Sequence, residues 1–342
     1  MLKNKNYHIE SLRGIAIILV VLGHVIGSGP EGGLKIDFPS NWRYIYCWID
    51  IIQLPLFTAI AGWVYALKPI EKGLKQFIFE KIKRLILPML IIAPVYYILQ
   101  CIIPGTNTSN SIFDLWRVFL FSYSIYWYLY ALFIIFIIIA IIDKYKKANT
   151  LSGWFKILII SILTSLIFKN TSIDNIPNIF CFLGGINQLP YFLIGLGLYR
   201  FKDALYKKSY YLILGIISLT ISFLAINMEW INLCEGNNFS FYHNIILRIA
   251  ACGLLVPICY IKFKNRILSF IGKYSFSIYM FHVFFTSSVR IFLNKIGMTS
   301  LPYTIIIITV LAISIPVILE MIINKNHIAG KYLLGRKQYI NS

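Results

Sequence analysis

Acidic side chains are scarce in this chain. Asp and Glu total 13 of 342 residues, against 32 Lys and Arg, and charged residues of both signs make up only 13%. There is no Gly-rich phosphate loop, no metal-ligand helix pair, no GxSxG elbow and no pair of catalytic carboxylates, which takes those chemistries out of consideration. The six cysteines, Cys47, Cys101, Cys181, Cys234, Cys252 and Cys259, are scattered through apolar runs without metal-ligand spacing. They read as isolated buried thiols, not as a disulfide framework.

What is abundant is apolar surface. Hydrophobic residues reach 58% and aromatic ones 16%, and the mean hydropathy is +0.75. That composition belongs to a polytopic membrane protein. A net charge of +19 would suggest nucleic acid in a soluble chain. Here the basic residues lie in short loops between apolar runs, so the positive-inside rule accounts for them and no nucleic-acid partner is implied. Lys3 and Lys5 precede the first run, and no small-residue cleavage site follows it, so a retained helix is expected.

The runs predict an all-α architecture of about ten transmembrane helices. Their approximate ranges are 12–26, 44–67, 85–103, 125–142, 155–168, 179–199, 210–227, an eighth beginning with His243, 267–292 and 303–323. Pro55 should kink the second, Gly184, Gly185 and Pro190 should interrupt the sixth, and residues from Leu74 onward suggest an amphipathic surface helix before the third. Alternate loops hold about two dozen Lys and Arg against roughly half a dozen in the others, which puts both termini in the cytoplasm. The whole chain, 1–342, reads as a single integral-membrane domain.

The first run carries the most informative pair. Arg13 and His24 lie eleven residues apart, about three full turns, so they share one helix face some 16 Å apart along the axis. Charged or titratable groups are costly to keep in lipid. Such an arrangement suits either a snorkelling arginine with a packed histidine or a functional line of sight. Arg13 with Lys81, Lys83 and Arg84 makes a candidate cytoplasmic cluster for a polyanion, since guanidinium forks match phosphate oxygens. Glu10 sits three residues before Arg13 and is expected to neutralise or orient it. His24 could serve as general base toward a hydroxyl or as the nucleophile that carries an acyl group. His282, inside an apolar helix, reads first as a packed histidine. Asp50, Trp127 and His282 are candidates for lining a polar interior, although Trp127-Tyr128-Leu129-Tyr130 is also what an interfacial aromatic belt supplies. Asp50, Arg248, Arg290 and Glu320 are charges within or near spans, and the sequence does not say which meets which.

Several stretches resemble the acyltransferase 3 family of integral-membrane O-acyltransferases, which includes O-antigen and exopolysaccharide acetylases and fucose O-acetylase-like proteins. Glu10-Ser11-Leu12-Arg13-Gly14 through Gly23-His24 is similar to its opening Arg-x10-His motif, with Glu10 where aspartate is commoner. Leu54-Pro55-Leu56-Phe57 through Gly62 resembles its second-helix P-x-F-x3-S-G stretch, with Ala61 replacing serine. Lys81 to Pro88 resembles its R-x-x-R segment, with Lys81 replacing the first arginine. Trp127-Tyr128-Leu129 resembles its W-F-L, and Gly272 through His282 its late G-x-x-S-x-x-x-Y-x-x-H.

The resemblance implies transfer of an acyl group, usually acetyl, from cytoplasmic acyl-CoA to a hydroxyl of a cell-surface or lipid-linked glycan such as lipopolysaccharide or exopolysaccharide. Acetyl-CoA or another acyl-CoA would be a co-substrate. No permanently bound cofactor and no metal are implied. On this reading Arg13, Lys81 and Arg84 hold the CoA phosphates, and His24 and Glu10 are the catalytic residues, Glu10 by orienting Arg13. The partners are then membrane lipid, the acyl-CoA and the glycan acceptor, and the location a multi-pass place in a bacterial plasma membrane. The competing classes are a carrier or flippase for a glycan precursor, which would need no CoA, and a non-catalytic scaffold, which leaves the Arg13–His24 alignment unexplained.

Overall fold

A computed structural model describes residues 7–29, 31–67, 73–108, 111–121, 123–170, 177–205, 208–234, 245–298 and 300–336. The described chain is helical throughout, with α1 Tyr7–Ile26, α2 Asn41–Leu67, α3 Leu74–Lys81, α4 Leu87–Ile102, α5 Trp127–Lys144, α6 Leu151–Asn170 and α7 Phe182–Arg200. It continues with α8 Lys208–Cys234, α9 Ile245–Tyr260, α10 Arg266–Lys273, α11 Ser275–Lys295, α12 Leu301–Ile323 and α13 His327–Leu334. Among the described residues nine helices are long and apolar enough to cross a membrane. The span predicted eighth is α9, a shorter apolar helix. His243, expected at its start, lies outside the described residues.

Four elements differ from the sequence-based expectation, each for a physical reason. The helix of the first run begins at Tyr7, before the expected Leu12, so Glu10 lies inside α1 along with Arg13. The surface helix and the third span form one continuous rod, Leu74–Ile102, joined by a π-helical turn at Ile82–Ile86 in which Leu87 N donates to Ile82 O. Pro88 has no N–H to give the Arg84 carbonyl and its ring would crowd that oxygen; a widened turn relieves both. The predicted ninth span is two helices parted at Tyr274, which ends α10 and precedes α11. Neither Pro55 nor the Gly184-Gly185 and Pro190 set interrupts its helix.

Instead of breaking α7, its glycines let helices meet. A Cβ at Gly195 would lie 1.7 Å from Ala59 O, and one at Gly62 would lie 2.0 Å from Phe192 O. The α2–α7 crossing is therefore closed backbone to backbone, the small-residue packing that replaces a hydrophobic drive where the surroundings are as apolar as the core. Outer helices α6 and α8 leave Leu163, Ile167, Leu212 and Ile216 exposed, as lipid-facing surfaces require.

One end of the bundle is fastened by an ion pair. Arg200 donates through both terminal nitrogens to Asp143, each at 3.0 Å, and Tyr65 Oη donates to the same carboxylate at 2.8 Å. This joins α2, α5 and α7. Asp143→Asn removes the charge that answers a largely buried guanidinium, and is expected to cost about 1–3 kcal/mol. Thermal unfolding in detergent, with Lys144→Gln as the exposed control, reads that loss.

Candidate active site

The start of α1 is held by α10, which docks across it. Ser269 Oγ donates to Glu10 Oε2 at 3.0 Å, and Ser11 Oγ accepts from Asn265 N at 3.1 Å. The helices touch closely enough that a Cβ at Gly272 would lie 1.8 Å from Glu10 O. Arg13, on the next turn, is within electrostatic reach of Glu10 and of Arg84 in the π-helical turn. Arg84 is within electrostatic reach of both Arg13 and Lys81, and Lys81 also lays its Nζ 3.6 Å from the Phe136 ring centroid and 5.0 Å from that of Phe77. Lys83 covers Phe79 at 4.2 Å. Beside Arg84 the chain ends its described course: Gly335 packs on the Lys83–Arg84 backbone. Arg336 pairs with the buried Glu320, which also accepts from Ser277 Oγ.

Further along α1, His24 meets a residue that the sequence reading favoured as packing. The His24 and His282 rings stand 5.1 Å apart at 71°. His24 Nδ1 is 2.7 Å from Val20 O, and His282 Nδ1 is 2.9 Å from both Ile278 O and Tyr279 O. A carbonyl can only accept, so these contacts assign the proton to Nδ1 in both rings and leave each Nε2 with its lone pair. His282 is wholly buried. Its Nε2 has no hydrogen-bond partner among the described residues. A buried basic nitrogen left unpaired beside a second imidazole is costly for structure alone, and fits a reaction that moves a proton.

From this pair a wall of aromatic rings leads sideways to a cavity. The Tyr279 ring lies tilted, 6.1 Å from His282 and 5.7 Å from Tyr128 between centroids. The Tyr128 hydroxyl is 3.0 Å from Thr58 Oγ1, which donates to Gln188 Oε1 at 3.1 Å. Gln188 lines a cavity of about 580 Å³ together with Asp50, Trp127, Asn187, Tyr191 and Arg248. Asp50 accepts from Tyr46 Oη at 3.3 Å and Gln53 Nε2 at 3.0 Å. Gln53 in turn packs on Gly23, where a Cβ would lie 2.6 Å from its Oε1. The cavity and the histidines therefore sit at one level of the bundle, separated by α2. Trp127 occupies its place because Gly184 has no side chain; a Cβ there would lie 2.9 Å from the indole.

Of the four charges of undecided partnership, Asp50 and Arg248 line the same cavity. Glu320 meets Ser277 and Arg336, Arg290 donates to Gly105 O at 2.9 Å, and Arg248 donates to Asn187 O at 3.1 Å. Among the described residues no group of His, Cys, Asp and Glu gathers as metal ligands would. Sequence reasoning missed Asn187, Gln188, Thr58 and Tyr128, because polar residues scattered singly in spans carry no periodic signal.

The model of a family described as an acyltransferase domain matches residues 6–321, nearly the whole chain. The chain belongs to the acyltransferase 3 family. Arg13, His24 and His282 all fall within the matched stretch. A curated relative, nodulation protein NolL of Mesorhizobium japonicum, is 28% identical over 154 residues, which is 44% of this chain and 39% of that protein. The match thus spans well under half the length of NolL. No solved structure matches.

Proposed function

We propose that this acyltransferase moves an acyl group, acetyl being the simplest, from cytoplasmic acyl-CoA to a hydroxyl of a cell-surface or lipid-linked glycan. The observation that carries the reading is the His24–His282 pair, set within the bundle on the same helix face as Arg13. Arg13 and Arg84 bind the phosphates of CoA at the cytoplasmic end, where Glu10, fixed by Ser269, orients Arg13. The roughly 16 Å from Arg13 to His24 matches the reach of an extended pantetheine arm. His24 Nε2 takes the proton of the acceptor hydroxyl as its oxygen attacks the thioester carbon. The C–S bond breaks, the proton passes to the departing thiolate, and an ester and free CoA result. His282 offers a second neutral imidazole against the first and steadies its charge while the proton is held.

The test is CoA release from acetyl-CoA by protein in nanodiscs supplied with a lipid-linked glycan extract. Arg13→Lys is expected to raise KM for acetyl-CoA about tenfold while leaving kcat nearly intact, because a point charge replaces a bidentate fork. Lys83→Gln, whose lysine lies over Phe79, serves as control and is expected to change little. Equal effects of the two substitutions would remove Arg13 from the donor site. No acetyl-CoA turnover with any glycan would favour a carrier.

A further inference from the structure

The 580 Å³ cavity beside the histidine pair contains more chemistry than a route for a hydroxyl needs. Its volume lies in the range that encloses small ligands. Trp127 contributes a flat apolar face suited to the C–H side of a sugar ring, and Asn187, Gln188 and Asp50 contribute planar polar groups suited to hydroxyls. Those features describe a neutral glycan site. Arg248 does not fit that description. Its Nη2 is anchored on Asn187 O, but its Nη1 is buried without a hydrogen-bond partner among the described residues. Asp143, Glu320 and Asp114 pair with Arg200, Arg336 and Arg117, and Asp50 shares the cavity lining with Arg248. A guanidinium kept in an apolar bundle with part of its fork unanswered is costly unless an anion completes it. The second cavity that Arg248 borders has room for only about 20 Å³, less than an oxyanion requires, so any such ligand comes from the larger one.

We infer that this cavity is the acceptor site and that Arg248 selects an acceptor carrying an oxyanion next to the ring that is acylated. The inference rests on the acyltransferase reading for its meaning but not for its measurement. Two sources supply the same chemistry: the carboxylate of an acidic sugar, or the phosphate that links a sugar to its lipid carrier. Both present oxygens that the Arg248 fork can grip while Trp127 supports the ring.

Binding of four probes to the full-length protein in nanodiscs decides it: glucuronate, its neutral methyl ester, glucose and glucose 1-phosphate. Quenching of tryptophan emission is the readout, with Trp127→Phe identifying the reporter. The native protein is expected to hold glucuronate or glucose 1-phosphate at least tenfold more tightly than glucose and the methyl ester. Whichever anion binds more tightly identifies the source. Arg248→Gln is expected to abolish that preference while retaining glucose, and Arg248→Lys to restore it in part. Equal binding of all four probes by the native protein would overturn the inference without any variant. So would an anion preference that survives in Arg248→Gln. Acyl-CoA turnover without anion preference refutes this inference alone, whereas anion preference without acyl-CoA turnover refutes the acyltransfer reading alone.

Discussion

His24→Ala is expected to lower acyl transfer by at least about a hundredfold, the range removed with a positioned general base, while the protein stays folded. The fold tolerates the change because the hydrogen bond lost is local, from Nδ1 to Val20 O within the same helix, and such bonds contribute about 1 kcal/mol. His282→Ala should be slower by a smaller factor and less stable, since a wholly buried ring is removed. If the two imidazoles act as one unit, the double variant falls hardly below His24→Ala. Fully multiplying effects would show that they act separately. Single-turnover CoA release with thermal unfolding on the same preparations separates chemistry from folding. Turnover unchanged in His24→Ala, with the fold intact, removes His24 from the mechanism. A radiolabelled acyl group retained on native protein without acceptor, and absent from His24→Ala, would assign the nucleophile role over the base role.

Much of this arrangement is readable along the chain and much of it is not, for reasons that differ by residue. The membrane-spanning, all-helical class follows from the length of the apolar runs, because lipid forces backbone groups to be satisfied within each span. The Arg13–His24 alignment follows from helical period alone. The partner of His24 does not: residues 258 positions apart meet only because α11 packs beside α1, and one sequence carries no signal for that. Tyr274 shows the same limit. Apolar residues run from 267 to 292 almost without pause, so one helix is the natural reading. The chain breaks there because α10 is tied sideways to α1 through Asn265, Ser269 and Gly272. At Pro55 local chemistry asks for a kink, and α2 continues through it from Asn41 to Leu67. The cavity is least legible of all, being assembled from α2, α5, α7 and α9.

Arg43→Met is expected to produce the largest loss of stability, about 3 kcal/mol or more. Sequence places Arg43 in the loop after α1, where a cation ordinarily stays in water. It is instead 1% exposed, in the first turn of α2. Its Nε donates to Ile36 O at 2.8 Å, and its terminal nitrogens reach the carbonyls of Gly27, Gly29 and Ile36. One planar fork thus satisfies three carbonyls of the loop that leaves α1 and returns as α2. Met matches the stem in volume but leaves those oxygens buried and unanswered, and each costs about 1–3 kcal/mol. Arg43→Lys keeps the charge yet offers donors from a single point, so it should recover only part of the loss. The effect should also reach the chemistry. The loop continues directly from the last turn of α1, which holds His24, and loosening it frees the imidazole from its place against His282. Acyl transfer in Arg43→Lys, measured below its unfolding temperature, is therefore expected to fall through kcat with KM for acetyl-CoA unchanged, because the Arg13 end is untouched. A loss of stability with unaltered kcat would limit Arg43 to holding the loop.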